Sequence, residues 1–212
     1  MANDFLSFKL PDDFVDSYRE KEVPWGFPIG AGNSLGELTF ITKYSRRKED
    51  GSKETWVDTG RRVIEGMFSI QKDWCKENRL PWNENKAQAT AKDAFDRLFV
   101  GKWTPPGRGL WMMGTEFVHA KKNSAALQNC SFLSTEHIST RSVHDATWPF
   151  VRLMEMSMLG VGVGFDTKGA DKLTIHQPLE EVEVFVVEDS REGWCESVGK
   201  LLESYFFAGR PT

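Results

Sequence analysis

Apolar residues recur at helical spacing in two early stretches and at strand-like spacing in several later ones. From Thr55, which reads as an N-cap, Trp56, Val63, Ile64, Met67, Phe68 and Trp74 fall along a helix that runs to Asn78. LPWNEN breaks it, and a second helix covers about 85–99, with Ala87, Ala91, Ala94, Phe95, Leu98 and Phe99 on one side. Ahead of both, residues 1–36 are interrupted by proline and glycine (PWGFPIGAGNSLGEL) and read as an irregular arm wrapping a larger body. LTFITKYSRR, 38–47, reads as a short strand ending in the turn KEDGSKE. Residues 37–105 are therefore expected to form a helical lobe.

The texture changes at GKWTPPGRGLWMMGT, 101–115, where prolines and glycines around Trp103 and Trp111 suit a rigid loop. Region 106–212 reads as the start of an α/β body. A short helix at 115–122 is followed by a strand within SAALQNCSFLS, 124–134. Asp145 opens another helix, with Pro149 tolerated in its first turn, running through Val151, Met154 and Met158 to GVGVGFDT. KLTIHQ and EVEVFVVE read as two strands, the second alternating charges with Val182, Val184 and Val186. A last helix starts at Asp189 or Ser190 as cap, with Glu192 as reciprocal partner. It carries Trp194, Val198, Leu201, Leu202 and Tyr205 on one face and ends at Gly209. Strands alternating with helices predict an α/β body with a largely parallel sheet. Two or three strands cannot close such a body, so further chain or a partner is expected to complete it.

Charge narrows the function classes. The 212 residues carry a net charge of −4, with no broad basic face for a nucleic-acid backbone. Lys43, Arg46, Arg47 and Lys48 are balanced locally by Glu49, Asp50 and Glu54, and read as a solvated turn. The start, MANDFLSFKLPDDF, does not read as a signal peptide, and no run is long and apolar enough for a membrane span. Three cysteines without paired spacing fit a reducing cytoplasm better than a disulfide scaffold.

Candidate chemistry is sparse. Cys75 and Cys195 fall on helices and read as small core residues. Neither has a histidine or cysteine at metal-ligand spacing, and no metal site is expected. Cys130 differs, because it lies in an extended segment among the polar Gln128, Asn129 and Ser131. Alternation puts Cys130 on one face with Gln128 and Phe132, and Asn129 and Ser131 on the other. In LGVGVGFD, 159–166, Gly160, Gly162 and Gly164 let backbone amides approach a ligand. The pattern is GxGxG and follows a helix instead of opening one, so from pattern alone a helix C-cap leading into a packed strand is the better reading. The four histidines are scattered, and no Ser-His-Asp arrangement can be assembled.

Taken in order, KYSRRKEDGSKETW, GRGLWMMGT, QNCSF, the helix into GVGVGFD, and DSREGW resemble the N-terminal part of the adenosylcobalamin-dependent (class II) ribonucleotide reductases, of the monomeric type acting on ribonucleoside triphosphates. The resemblance runs from about residue 40 to 212. It implies a helical lobe followed by the first part of a ten-stranded α/β barrel, incomplete in this chain, with ALQNCSF as the first barrel strand. Cys130 then matches the first of two cysteines that reduce the ribose and close to a disulfide. Asn129, Ser131, Gly160, Gly162 and Gly164 match positions near the nucleotide. Asp189, Ser190 and Arg191 match the start of a helix at the effector site.

The chemistry implied is radical. After homolysis of the cofactor's cobalt–carbon bond, a thiyl radical on another cysteine takes the 3′ hydrogen of the ribose, and the 2′ hydroxyl leaves as water. Cys130 and its partner supply the protons and two electrons, and a thioredoxin-type reductant restores them. The resemblance further implies a ribonucleoside triphosphate substrate, a deoxynucleotide effector and a cytoplasmic enzyme of DNA precursor synthesis, with neither direct nucleic-acid nor membrane contact. The radical cysteine, the second reducing cysteine and most of the cofactor site match nothing in 1–212, so the chain alone is expected to be inactive and to need the remaining part of the same enzyme. Two other readings stand beside this one: a non-catalytic nucleotide-binding or scaffolding module, and a reductase of another class sharing the barrel.

Overall fold

The structure, a computed structural model of the chain, describes residues 5–23, 35–178 and 184–207. Two compact units divide it, Met1–Leu127 and Gln128–Thr212.

In the first unit the described helices are α1 (Asp12–Asp16), α2 (Leu35–Thr39), α3 (Trp56–Glu77), α4 (Glu84–Phe99), α5 (Gly107–Met112) and α6 (Glu116–His119). Helix α3 starts where the pattern placed it. The Thr55 hydroxyl accepts from Asp58 N and the Asp58 carboxylate accepts from Thr55 N, a reciprocal cap that satisfies two orphan donors. Asn83 caps α4 by a single bond, its side-chain oxygen accepting from Lys86 N at 3.0 Å. The two helices bury Trp56, Val63, Ile64 and Phe68 against Ala91, Phe95 and Leu98. Trp74, by contrast, is exposed and lies outside this stripe.

Residues 5–23 of the arm are part of the core, and residues 24–34, most of its proline- and glycine-rich stretch, lie outside the described residues. Phe8, Leu10, Val15 and Tyr18 are all buried, and Tyr18 meets the rings of Phe95 and Phe99 at centroid distances of 5.0 Å each. Its backbone is held by side chains of α3. Phe8 N donates to Ser69 Oγ at 3.0 Å, and Leu10 N to Glu65 Oε1 at 3.0 Å.

The expected strand at 38–47 is helical. α2 continues into a π-helical turn, Phe40–Tyr44. Thr39 and Thr42 donate their hydroxyls to the carbonyls of Leu35 and Leu38, and Phe40 packs edge-on against Trp56 at 5.4 Å. One anchoring ring per turn suits a helix, and tertiary packing here overrides the β-branched composition. The turn that follows is as read: Lys48 N donates to Ser52 O at 2.8 Å, and Arg47 bridges Lys53 antiparallel.

At the centre of this unit is an ion pair. Arg62 donates to both oxygens of Glu54 at 2.7 and 2.9 Å, and its side chain and that of Glu54 are only 7% and 10% exposed. The same guanidinium donates to Leu110 O at 2.8 Å and Met113 O at 2.5 Å. It thereby joins the 46–54 turn, α3 and the 110–114 segment. Gly114, at φ +75°, follows directly, and a Cβ there would lie 2.1 Å from Arg62 O, so glycine is required.

The second unit holds β1 (Cys130–Leu133), α7 (Val143–Met158), β2 (Gly162–Phe165) and α8 (Arg191–Phe206). β1 and β2 pair in parallel, as expected of an α/β body, with α7 as the crossover. Among the described residues the sheet has these two strands, so the ten-stranded barrel is not present in them. In the expected strand 172–177, Lys172 closes a 3-10 turn, Ala170–Lys172, and residues 173–177 are irregular, as are residues 184–188 of the expected strand 181–188, while residues 181–183 lie outside the described residues. α7 begins earlier than Asp145, with Ser142 as cap, and Pro149 therefore sits in its second turn.

α7 packs along α8, on a different stripe from the one read from hydropathy. Cys195 and Phe206 are buried, Leu202 is partly buried, and a Cβ on Gly199 would touch Val151 at 3.5 Å. Small residues at 195 and 199 bring the helices close, while Trp194 and Leu201 are 46% and 59% exposed. The cap is Ser190, whose hydroxyl accepts from Gly193 N at 3.0 Å, so the third helical position falls on Gly193 and not on Glu192. Gly209 lies outside the described residues.

Removing one partner of a buried, hydrogen-bonded pair strands the other charge and costs about 3–5 kcal/mol. Arg62→Ala is therefore expected to lower the stability of the first unit by about that amount in denaturant unfolding, and a loss below about 1 kcal/mol would contradict the central role given to the pair.

Candidate active site on strands β1 and β2

The parallel register pairs Cys130 with Gly162, Ser131 with Val163, Phe132 with Gly164, and Leu133 with Phe165. Paired residues share a face. Cys130, Phe132, Gly162 and Gly164 therefore form one surface, and all four are exposed. Ser131, Leu133, Val163 and Phe165 form the other. Between that second face and α7 lies a cavity of about 370 Å3, lined by Leu133, Ile138, Phe150, Leu153, Phe165 and Leu173 among others. The Cys130 thiol is thus on the side away from the apolar cavity, with a residue lacking any side chain directly beside it.

Strand pairing starts one residue before Cys130, where Gly162 N donates to Asn129 O at 2.9 Å. Beyond Leu133, Asp166 N donates to Leu133 O at 3.3 Å. Sequence reasoning did not single out Asp166, yet it ties the two strand ends together. Its carboxylate accepts from Thr135 N at 2.9 Å and from Thr135 Oγ1 at 3.0 Å. These contacts, the backbone donation from Thr135 foremost, hold its pKa down to about 2. The one cue in the sequence is an acid placed immediately after a strand, too common a signal to use alone.

The first two glycines of the GxGxG run differ in what requires them. Gly160 ends α7 at φ +74°, a left-handed position that a side chain would strain. Gly162 has no such backbone, and the nearest atom to a Cβ built there is Asn129 O at 3.7 Å. The run is a helix stop followed by a strand, the plainer of the two readings made from pattern. The structure brings Gly162 and Gly164 onto the Cys130 face. It does not bring Ser131 there, because Ser131 faces the opposite way, and Asn129 contributes its carbonyl to the ladder.

Asp189, Ser190 and Arg191 stand together at the start of α8. Arg191 donates to Glu155 Oε1 of α7 at 2.7 Å and also to Glu192. Burial opposes its charge, but the Glu192 and Glu155 carboxylates outweigh this and raise its pKa. The guanidinium is therefore already engaged with two carboxylates. Cys195, one turn on, has its thiol pushed up by burial and behaves as a core residue. Cys75 is half-buried.

Comparison with known proteins bears on this geometry. The family model described as "Ribonucleotide reductase alpha domain" matches residues 10–115. The chain belongs to the ribonucleotide reductase family. It is similar to a "Probable adenosylcobalamin-dependent ribonucleoside-triphosphate reductase" of Dictyostelium discoideum, 42% identical over 94% of this chain and 27% of the relative. It is also similar to an "Adenosylcobalamin-dependent ribonucleoside-triphosphate reductase" of Euglena gracilis, 41% identical over 94% of this chain and 26% of the relative. A solved B-12 dependent (class II) ribonucleotide reductase shares the fold, with a TM-score of 0.72 and 22% identity over 94% of this chain and 33% of that one. The chain spans about a quarter of the length of these curated relatives. No helix among the described residues is long and apolar enough to cross a membrane.

The Asp166 contacts have an acid signature. Its folded pKa lies below the ordinary 3.8, so the stabilisation is present above that value and is lost as pH falls through about 2. The melting temperature of the parent is expected to drop over that window more steeply than that of Asp166→Asn, and parallel pH profiles would show that the carboxylate does not hold the strand ends.

Proposed function

We propose that this chain is the N-terminal part of an adenosylcobalamin-dependent ribonucleotide reductase that converts ribonucleoside triphosphates to deoxyribonucleotides, with Cys130 as one of its two reducing thiols. The observation carrying this reading is the exposed thiol on β1 beside Gly162, a strand glycine that neither backbone strain nor neighbouring atoms require. A glycine inside a strand weakens it and often marks a place where another group comes close. Here the clearance lies where a ribose would approach the sulfur. A module that only scaffolds gives no reason for an open space at that point.

In this reading β1 begins a barrel that the rest of the protein completes. Residues 1–36 are its arm, 37–105 its helical lobe and 106–212 the start of its catalytic part. Loss of the ribose 2′ hydroxyl as water is balanced by two thiols closing to one disulfide, which supplies two protons and two electrons. Cys130 is one thiol, the second belongs to the remainder of the protein, and a thioredoxin-type reductant reopens the disulfide. A strand holds the sulfur's position more rigidly than a loop, as a near-attack geometry demands. Gly162 and Gly164 wall the sugar pocket, and Asn129 and Ser131 support the strand from its ladder and its reverse face. Asp189, Ser190 and Arg191 form part of a deoxynucleotide effector site. Arg191 then trades Glu155 or Glu192 for a phosphate, which makes effector binding a competition between anions. Adenosylcobalamin supplies radical initiation when bound. The apolar cavity behind β1 and β2 is too small for a corrin and lacks the polar groups to hold one, and no residue of this chain is assigned to it. We place the enzyme in the cytoplasm, acting on free nucleotides.

Three substitutions test the reading in the complete protein. Cys130→Ser should abolish turnover with a dithiol reductant while substrate affinity changes less than about twofold, and normal multiple turnover would remove Cys130 from the chemistry. Gly162→Ala should leave the melting temperature unchanged or slightly raised and weaken substrate binding about tenfold or more, since the methyl group meets ligand and not protein. Arg191→Ala should shift the effector concentration curve about tenfold while basal activity stays within about twofold, and superimposable curves would exclude that role.

A further inference from the structure

The face that carries the Cys130 thiol has side chains on one strand only. Cys130 and Phe132 project from β1, and the residues paired with them on β2 are Gly162 and Gly164. A Cβ built on Gly162 would meet no atom closer than Asn129 O at 3.7 Å. One built on Gly164 would lie 3.4 Å from Cδ2 of the Phe132 ring, an ordinary contact. Neither position is crowded enough to exclude a methyl group. Across these four positions the surface is bare backbone on β2, with the thiol and the ring standing beside it on β1.

That ring is 64% exposed. Phe165, on the opposite face, lines the apolar cavity together with Phe150 and Leu153 of α7, whereas Phe132 stands on the side away from α7. An aromatic ring left in water forfeits the burial of a large apolar area, and its flat face is suited to a flat partner. Successive same-face residues of a strand stand about 6–7 Å apart. In a ribonucleoside the base is attached to the carbon next to C2′. A ribose whose 2′ carbon meets the Cys130 sulfur therefore carries its base within reach of a ring one such step along the strand.

We infer that Phe132 is a base-binding residue, its ring stacking on the base of the ribonucleoside triphosphate while the ribose lies over Gly162. The inference rests on the role proposed for Cys130. Every base has a π-face, and stacking reads no hydrogen-bond pattern. Phe132 thus contributes affinity common to all the substrates, and the choice between bases is made by other groups. Gly164 leaves the space beside the ring open for the edge of the base.

The test is steady-state kinetics of the complete protein with the adenine, guanine, cytosine and uracil ribonucleoside triphosphates, in Phe132→Leu and Phe132→Tyr. Phe132→Leu is expected to raise KM about tenfold for every one of them with kcat within about twofold, the pattern of lost uniform binding. Phe132→Tyr keeps the aromatic face and should stay within about twofold of the parent in both constants. Ribose 5-triphosphate, which has no base, is the control, and its inhibition constant should be the same in the parent and in Phe132→Leu. An unchanged KM in Phe132→Leu, an equal loss of affinity for ribose 5-triphosphate, or failure of that variant to fold would overturn the inference and assign the ring to packing within the protein. None of these outcomes touches Cys130. Normal multiple turnover by Cys130→Ser, by contrast, would remove the premise whatever Phe132 does.

Discussion

Burial of the Arg62 guanidinium against Glu54 governs the first unit. Taking two charges out of water is unfavourable unless every donor finds an acceptor. That requirement dictates where the neighbouring chain runs. The carbonyls of Leu110 and Met113 must turn inward to meet the fork, and Gly114 must adopt a left-handed backbone to let them. Thr115 then caps α6, whose His119 accepts from Gly114 N at 3.2 Å. Burial lowers the pKa of that imidazole and keeps it an acceptor. One ion pair thus shapes a turn, a cap and a histidine tautomer.

The second unit uses a different device. Its two strands are short, and a parallel pair of four residues each is weak by itself. The pair is fixed at both ends by single residues: the Asn129 carbonyl at one, the Asp166 carboxylate at the other. Between them the register is determined, so the residue opposite Cys130 is necessarily Gly162. Candidate chemistry at the thiol therefore depends on contacts at the strand ends, the Asn129 carbonyl beside it and the Asp166 carboxylate beyond Leu133.

Much of this was legible from residue order. Thr55, the break at LPWNEN and the alanine stripe of α4 act locally, and local rules located them. The strand containing Cys130 was legible for the same reason. The misreadings share a cause. The 38–47 segment has the β-branched residues of a strand, but Phe40 finds Trp56, a partner sixteen positions away that no local pattern announces. On α8 the eye follows Trp194, Leu201 and Tyr205, whereas packing prefers Cys195 and Gly199, small residues that score poorly for hydropathy and allow close approach. Residues 172–177 alternate like a strand yet lack a partner ladder among the described residues. The faces of Cys130 and Ser131 could be told apart by alternation, but which of them is left open could not, since that depends on α7 covering one side.

A pair of strands has two outer edges, and each here carries a row of amide and carbonyl groups without a neighbouring strand among the described residues. Water can satisfy them only while nothing extended drifts near. Such open edges are places where a further extended segment can add by backbone pairing. Expressed alone at high concentration, the chain would be prone to cluster along those rims, and a bulky or charged tag near β2 would be a better safeguard than a mutation in its helices.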